Sequence, residues 1–175
     1  MGKFCGTQSG KLVPFLEPKE SDICIEDIAH SLSLQCRFNG ATSKFYSVAQ
    51  HSCHVAQMLP TDLKLCGLLH DAAEAYIGDI ISPFKEKFPK IQEAEDALLT
   101  IIFEKFGCTM PLPEDVLRAD RRVCATEIRD LCAFPSSLVK EAYDFTINPW
   151  STKKAEREFL LWFSALWGAE CHFSI

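Results

Sequence analysis

Several polar side chains fall where helical periodicity asks for hydrophobes, and their types are those that bind divalent metal ions. In the segment that starts at Ser47, Val48, Val55, Met58 and Leu59 trace a buried stripe that includes His51, with His54 at its edge. In the segment from Thr61, the residues Leu63, Cys66, Gly67, Ala73 and Ile77 share a face with His70 and Glu74, and Asp71 flanks them. In the segment from Pro113, the stripe is Val116, Leu117, Val123, Cys124 and Leu131, and Asp120 and Glu127 stand inside it. A carboxylate or imidazole buried alone costs several kcal/mol, so such groups pair with one another or hold a metal ion.

Helix rise supplies a second test. His51 precedes Leu59 by about 12 Å of helix and His70 follows Thr61 by about 13.5 Å, so a hairpin folded at Pro60 brings the two histidines level. Asp71 then adds an oxygen beside them, and Asp120 completes the set from a third helix. Two imidazoles with two carboxylates suit one borderline divalent ion, zinc, cobalt, manganese or iron. With five histidines in the chain, a second ion lacks obvious ligands. Open coordination positions on such an ion allow a bound water to lose a proton near neutral pH or a phosphoryl oxygen to be polarised, which is hydrolase chemistry.

Taken singly, these residues say less. His70-Asp71 is a common dipeptide, a lone His51 is more often a hydrogen-bonded core residue, and Asp120 could simply pair with a buried arginine. The joint pattern on three stripes is what points to a metal site. His54 is assigned a supporting or structural role and Glu127 a salt bridge that braces the site, while His30 and His172 receive no part in it.

The elements that must position these groups are helices, and the fold expected is all-α, a single compact helical bundle. The periodicity predicts helices over 25–34, from a Ser47 cap to Leu59, over 61 to about 77, over 90–106, from Pro113 to about Cys132 and over 151–167. The 61–77 helix, apolar on several faces, is expected at the centre. A turn begins at Ser82-Pro83, and residues 1–22 form a lead-in. No internal repeat or linker divides the chain, so residues 1–175 are read as one domain with its core over about 25–167.

Composition agrees. The chain has 175 residues, is 47% hydrophobic, and carries a formal charge of -6, which argues against a nucleic-acid partner held through its phosphates. No apolar run approaches the ~18 residues of a membrane helix, so no membrane partner is expected. Nine cysteines, an odd number with no C-x-x-C, read as reduced thiols. The opening MGKFCGTQSG lacks an apolar secretory core and has Gly6 where a myristoylation signal wants Ser or Thr, so the expected location is the cytoplasm.

The series His51, His70-Asp71, Asp120 resembles the H…HD…D signature of the HD-domain metal-dependent phosphohydrolases. The stretches RFNGATSKFYSVAQHSCHVA (37–56), LLHDAAEAYIGDIISPFK (68–85) and ADRRVCATEIRDL (119–131) are similar to the small HD proteins that include bacterial 5'-deoxynucleotidases and phage dATP triphosphohydrolases. The resemblance covers most of residues 25–167. It implies an HD-domain bundle in which His51, His70, Asp71 and Asp120 ligate the metal. It further implies that Glu74 orients or activates the attacking water and that Asp79 lies near the scissile phosphate. Arg37 and Lys85 are implied to hold the phosphate, with Lys44 a further candidate in the same loop. Phe38 stands where relatives often have Trp, and a stacking role toward base or sugar is retained in kind. The implied substrate is a small nucleotide, first a deoxynucleoside 5'-monophosphate and alternatively a dNTP cleaved to tripolyphosphate. A non-catalytic nucleotide-binding module is a further reading, and a structural zinc protein, which chelation would unfold, is another. Relatives also imply a homo-oligomer, a dimer or larger.

Overall fold

A computed structural model describes residues 4–14 and 17–170, and the chain folds mainly into helices. His172 lies outside the described residues. The helices are α1 (Ile25–Leu34), α2 (Val48–Gln57), α3 (Lys64–Leu69), α4 (Glu74–Ile77), α5 (Ser82–Lys87), α6 (Pro89–Phe106), α7 (Glu114–Leu131) and α8 (Thr152–Glu170). Short 3-10 turns add Glu20–Asp22, Arg37–Gly40, Thr61–Leu63 and Ser136–Leu138.

The periodic segments become helices close to where the pattern places them. Ser47 caps α2 by accepting the Gln50 N–H at 3.1 Å. Proline sits in the first turn of α5 and α6, where its missing N–H costs no helix bond. Glu114 and Asp115 open α7 and Arg129 closes it, a charge order that complements the helix dipole.

The lead-in holds a feature that periodicity does not announce, an antiparallel hairpin of β1 (Phe4–Gly6) and β2 (Leu12–Pro14) with Cys5 opposite Val13. Three residues per strand are too few for an alternating pattern to register. Its tip is tied down: the Ser9 N–H and Oγ each donate to the buried Asp27 carboxylate at 2.7 Å.

The centre of the bundle is α2 rather than the 61–77 segment. Its residues Val48 to Cys53, Val55 and Ala56 are all buried, and it packs against α1, α3, α7 and α8. Most of these side chains are small or polar, so the neighbours come close. The polar ones are satisfied: Ser52 Oγ donates to the Val48 carbonyl, and the Gln50 amide bridges the Asn148 carbonyl and the Trp150 N–H. Against α2 lie the apolar α3, with Leu65, Leu68 and Leu69, and α8, through Ala155, Phe159 and Phe163. Gly67 permits the α2–α3 approach, since a Cβ there would collide with the Leu59 side chain and meet the Ala56 backbone. Trp150 and Trp162 pack on this core, whereas Trp167 is exposed.

On α6, periodicity places Ile91, Ala94, Leu98, Ile101 and Ile102 near one face, and the structure buries Leu98 and Ile102 of that set. Ile91, Ala94 and Ile101 are only half-buried, and the inward set is Glu95, Leu98, Leu99, Ile102, Phe103 and Phe106. The cysteines at 5, 24, 36, 53, 124 and 132 are thiols. Among the described residues, no helix is long and apolar enough to cross a membrane.

Candidate metal centre

The expected 61–77 helix is broken, and the break is where the candidate ligands sit. Residues 70–73 form a tight turn between α3 and α4, with i to i−3 bonds from the N–H groups of Ala72, Glu74, Ala75 and Tyr76. The His70 ring supplies a cause. Its Nδ1–H donates to the Gly67 carbonyl at 2.8 Å, the acceptor that a continuing α-helix would offer to the Asp71 N–H.

His51 is wholly buried on α2. Its Nδ1–H donates to Glu127 Oε1 on α7 at 2.6 Å; the same oxygen accepts the Tyr46 hydroxyl at 2.9 Å, and Glu127 Oε2 accepts Arg37 Nη2 at 3.3 Å. With each Nδ1 acting as a donor, both histidines aim Nε2 into one spot, and the two Nε2 atoms are 3.3 Å apart. Were both rings neutral, two lone pairs would face each other at that distance, a repulsion that a proton or a metal cation removes.

The carboxylates close on the same point. Asp120 Oδ1 lies 3.1 Å from His51 Nε2 and 3.9 Å from His70 Nε2. Asp71 Oδ1 lies 3.2 Å from His70 Nε2, and Oδ2 lies 3.6 Å from His51 Nε2 with no hydrogen-bond partner among the described residues. One donor atom each from His51, His70 and Asp120 fall within 4.8 Å of one another, so this group could hold a metal ion. The donor types and the orphaned Asp71 oxygen fit a divalent ion.

Electrostatics favour positive charge here. Burial and the Arg37 charge depress the His51 imidazole, yet Glu127 and Asp120 outweigh them and lift it to about 10. Burial pushes Asp120 up, but the two imidazoles and Arg37 hold it well below the usual carboxylate range. Glu127 is likewise lowered against its own complete burial by His51, Arg37 and Tyr46.

Beside the centre opens a cavity of about 720 Å³. Asp71 and Asp120 reach its wall, along with the charged Arg37, Glu74, Asp79 and Lys85 and the apolar Phe38, Ile81 and Phe134. Glu74 is buried and its pKa stands well above normal, because of burial and the Asp71 and Asp79 charges. Burial also raises Asp79, and Arg37 offsets part of that rise. Glu74 Oε2 and Asp79 Oδ2 lack hydrogen-bond partners among the described residues.

Other expected site residues divide. Both basic groups reach the cavity, but neither stands free. Arg37 is engaged by Glu127 and lies 3.9 Å from Asp71, while Lys85 lies 3.3 Å from Glu74 and 2.7 Å from the Glu95 carboxylate. Phe38 lines the cavity in a left-handed backbone conformation (φ 54°), edge-on to Phe134 with ring centroids 6.1 Å apart. Lys44 is exposed and is not among the lining residues. His54 packs against the rings of Phe145 and Trp150, bonded to Gln50, and burial takes it down to about 4. His30 pairs with Glu156, away from the centre.

Sequence reasoning passed over Tyr46, Gln35, Glu95 and Phe134. A signal existed for Glu95, a carboxylate at i−3 and i−4 from the buried Leu98 and Leu99.

The fold and this His/Asp cluster define a mainly helical protein with a candidate metal centre. No family model matches the chain. It is 42% identical over 128 residues to "Uncharacterized protein YfdR" of Escherichia coli, covering 73% of this chain and 72% of that protein. It is 38% identical over 121 residues to "Uncharacterized protein RCAP_rcc00048" of Rhodobacter capsulatus, covering 63% of this chain and 62% of that protein. The chain belongs to the family of YfdR.

Proposed function

We propose that this protein is a metal-dependent nucleotide phosphohydrolase of the HD-domain class, and that it releases phosphate from deoxynucleoside 5'-monophosphates. The observation that carries the reading is the meeting of His51, His70, Asp71 and Asp120 beside a cavity that also holds the buried Glu74 and the half-buried Asp79. Those four residues would hold one divalent ion, zinc, cobalt, manganese or iron. When bound, such an ion polarises a phosphoryl oxygen and makes a coordinated water acidic.

The remaining work falls to the chain. Glu74, with one carboxylate oxygen unpartnered and its pKa raised by burial, is suited to take the proton of the attacking water. Asp79 orients groups around the phosphate. Arg37, whose buried Nε lacks a hydrogen-bond partner among the described residues, and Lys85 neutralise charge growing on the phosphoryl oxygens. Phe38 and Phe134 offer an aromatic wall for base or sugar. The cavity volume lies within the ~300–1,000 Å³ of small-molecule sites. Its lining cations are Arg37, Lys85 and Arg121, and all three already face carboxylates, which supports a monophosphate over a triphosphate.

The thiols suit the cytoplasm. The exposed Phe84 and Phe88 suit an assembly of two or more copies, which light scattering checks.

The test is a panel of dNMPs, NMPs and dNTPs with each metal, read for phosphate and tripolyphosphate. Phosphate from dNMPs is expected, and chelation should abolish it while leaving most helicity. Tripolyphosphate from a dNTP, with no phosphate from any dNMP, transfers the assignment to a triphosphohydrolase. No product from any substrate leaves a nucleotide-binding module, and equal turnover by Glu74→Ala removes that residue's role.

A further inference from the structure

Gln35 follows the last residue of α1 and is not among the cavity's lining residues, yet both ends of its side chain engage the segment that carries Glu74 and Asp79. Its Nε2 donates to the Glu74 carbonyl at 3.0 Å and to Ser31 Oγ at 2.9 Å. Its Oε1 accepts the Asp79 N–H at 3.0 Å. Ser31 Oγ in turn donates to the Ala75 carbonyl at 2.8 Å. The Gln35 main chain extends the link, because its carbonyl accepts the N–H of Val48, the first residue of the helix that bears His51.

This brace matters because the acids have little else to hold them. Lys85 contacts one Glu74 oxygen at 3.3 Å, and the other Glu74 oxygen and Asp79 Oδ2 have no partner among the described residues. Between the two acids the main chain turns at Gly78 with φ +88°, a conformation that other residues rarely adopt. Asp71, Glu74 and Asp79 carry like charge and repel when ionised. The placement of both carboxylates therefore depends on the 74–79 main chain, which Gln35 grips at both Glu74 and Asp79 while Ser31 holds it at Ala75.

We infer that Gln35 is a positioning residue, setting Glu74 and Asp79 against the phosphoester while touching no substrate itself. This rests on the reading above that those two acids act on the phosphate. The full-length, metal-loaded protein is compared with Gln35→Leu, which keeps bulk and loses all three side-chain bonds, with Gln35→Glu, which loses both donations, and with Ser31→Ala, which removes one prop of the amide. For each, kcat and KM are measured on the dNMP that wild type turns over fastest, together with bound metal per chain and amide exchange over residues 74–79.

Displacing a catalytic group by about 1 Å can cost on the order of 100-fold in rate, so kcat of Gln35→Leu is expected to fall roughly 10- to 100-fold. KM and metal content should stay near wild type and the Asp79 amide should exchange faster. Ser31→Ala should show a smaller loss in the same direction. Wild-type kcat in all variants overturns the inference, and so does a kcat that falls only in step with bound metal. If Gln35→Leu fails to fold, Gln35→Glu and Ser31→Ala give the same reading. A wild type with no turnover overturns the proposed function and the role of Gln35 with it, whereas an active wild type with unaffected variants overturns Gln35 alone.

Discussion

The ligand cluster and the acid wall, adjoining in sequence at Asp71 and Glu74, are built on opposite terms. In the cluster each imidazole Nδ1–H has an acceptor, and Glu127 is shared by His51, Tyr46 and Arg37. In the acid wall, buried carboxylate oxygens of Glu74 and Asp79 go unpartnered, and the side chains are held through their main chain. The pKa directions divide the same way. Asp120 and Glu127 are lowered by the cations around them, while burial and like charge raise Glu74 and burial raises Asp79. The lesson is that one region is preorganised to keep its charge and the other is kept under electrostatic tension, the arrangement expected of ligands and of a proton acceptor respectively.

The sharpest way to break this contrast is Asp120→Ala. It should cut metal affinity by more than the roughly 10- to 100-fold that follows loss of a ligand's hydrogen-bond partner, with turnover falling to background. Metal per chain after dialysis reads this directly, and full occupancy would exclude Asp120 as a ligand. Next comes Glu127→Gln, which leaves Arg37 without its main buried partner. A loss of about 3 kcal/mol is expected in denaturant unfolding, with metal affinity down about 10- to 100-fold. A variant as stable as wild type would show that the Glu127 network does not brace the fold.

The smallest effect has the opposite sign. The raised Glu74 pKa means its contribution to stability is full below the ordinary value of 4.5 and is lost as pH rises through the raised value. Glu74→Gln should therefore be more stable than wild type at pH 8 by about 1 kcal/mol, roughly 2–4 °C in Tm. That gain should vanish near pH 4, and turnover should be lost at every pH. For Asp120 and Glu127 the lowered values place their contribution above the ordinary carboxylate range, to be lost as pH falls through the lowered values. A Glu74→Gln Tm advantage that persists unchanged at pH 4 would contradict the tension ascribed to the wall.

Much of the cluster is legible in the sequence because its residues interrupt strong apolar stripes. His51, Asp120 and Glu127 are polar residues on such stripes, and simple helix rise already sets His51 level with His70, whose Nε2 atoms meet at 3.3 Å. The break at 70–73 is not legible, because it depends on a ring nitrogen taking a carbonyl within its own helix. Nor are the partners of the basic groups, since Arg37 meets Glu127 across ninety residues. Gln35 is hidden for another reason: a glutamine at a helix end reads as a surface residue until its long-range bonds are known. The 1–22 lead-in likewise carries no hint of the hairpin docked on Asp27.

The last helix has a consequence for how the molecule is made. α8 packs on α1, α2 and α3 and buries Phe159 and Phe163, whereas the candidate ligands end at Asp120. A chain emerging from the ribosome thus exposes every group that could capture an ion before it owns the helix that clamps the floor beneath them. An ion taken up early would meet a loose set, and any tight retention would wait for Phe159 and Phe163 to dock.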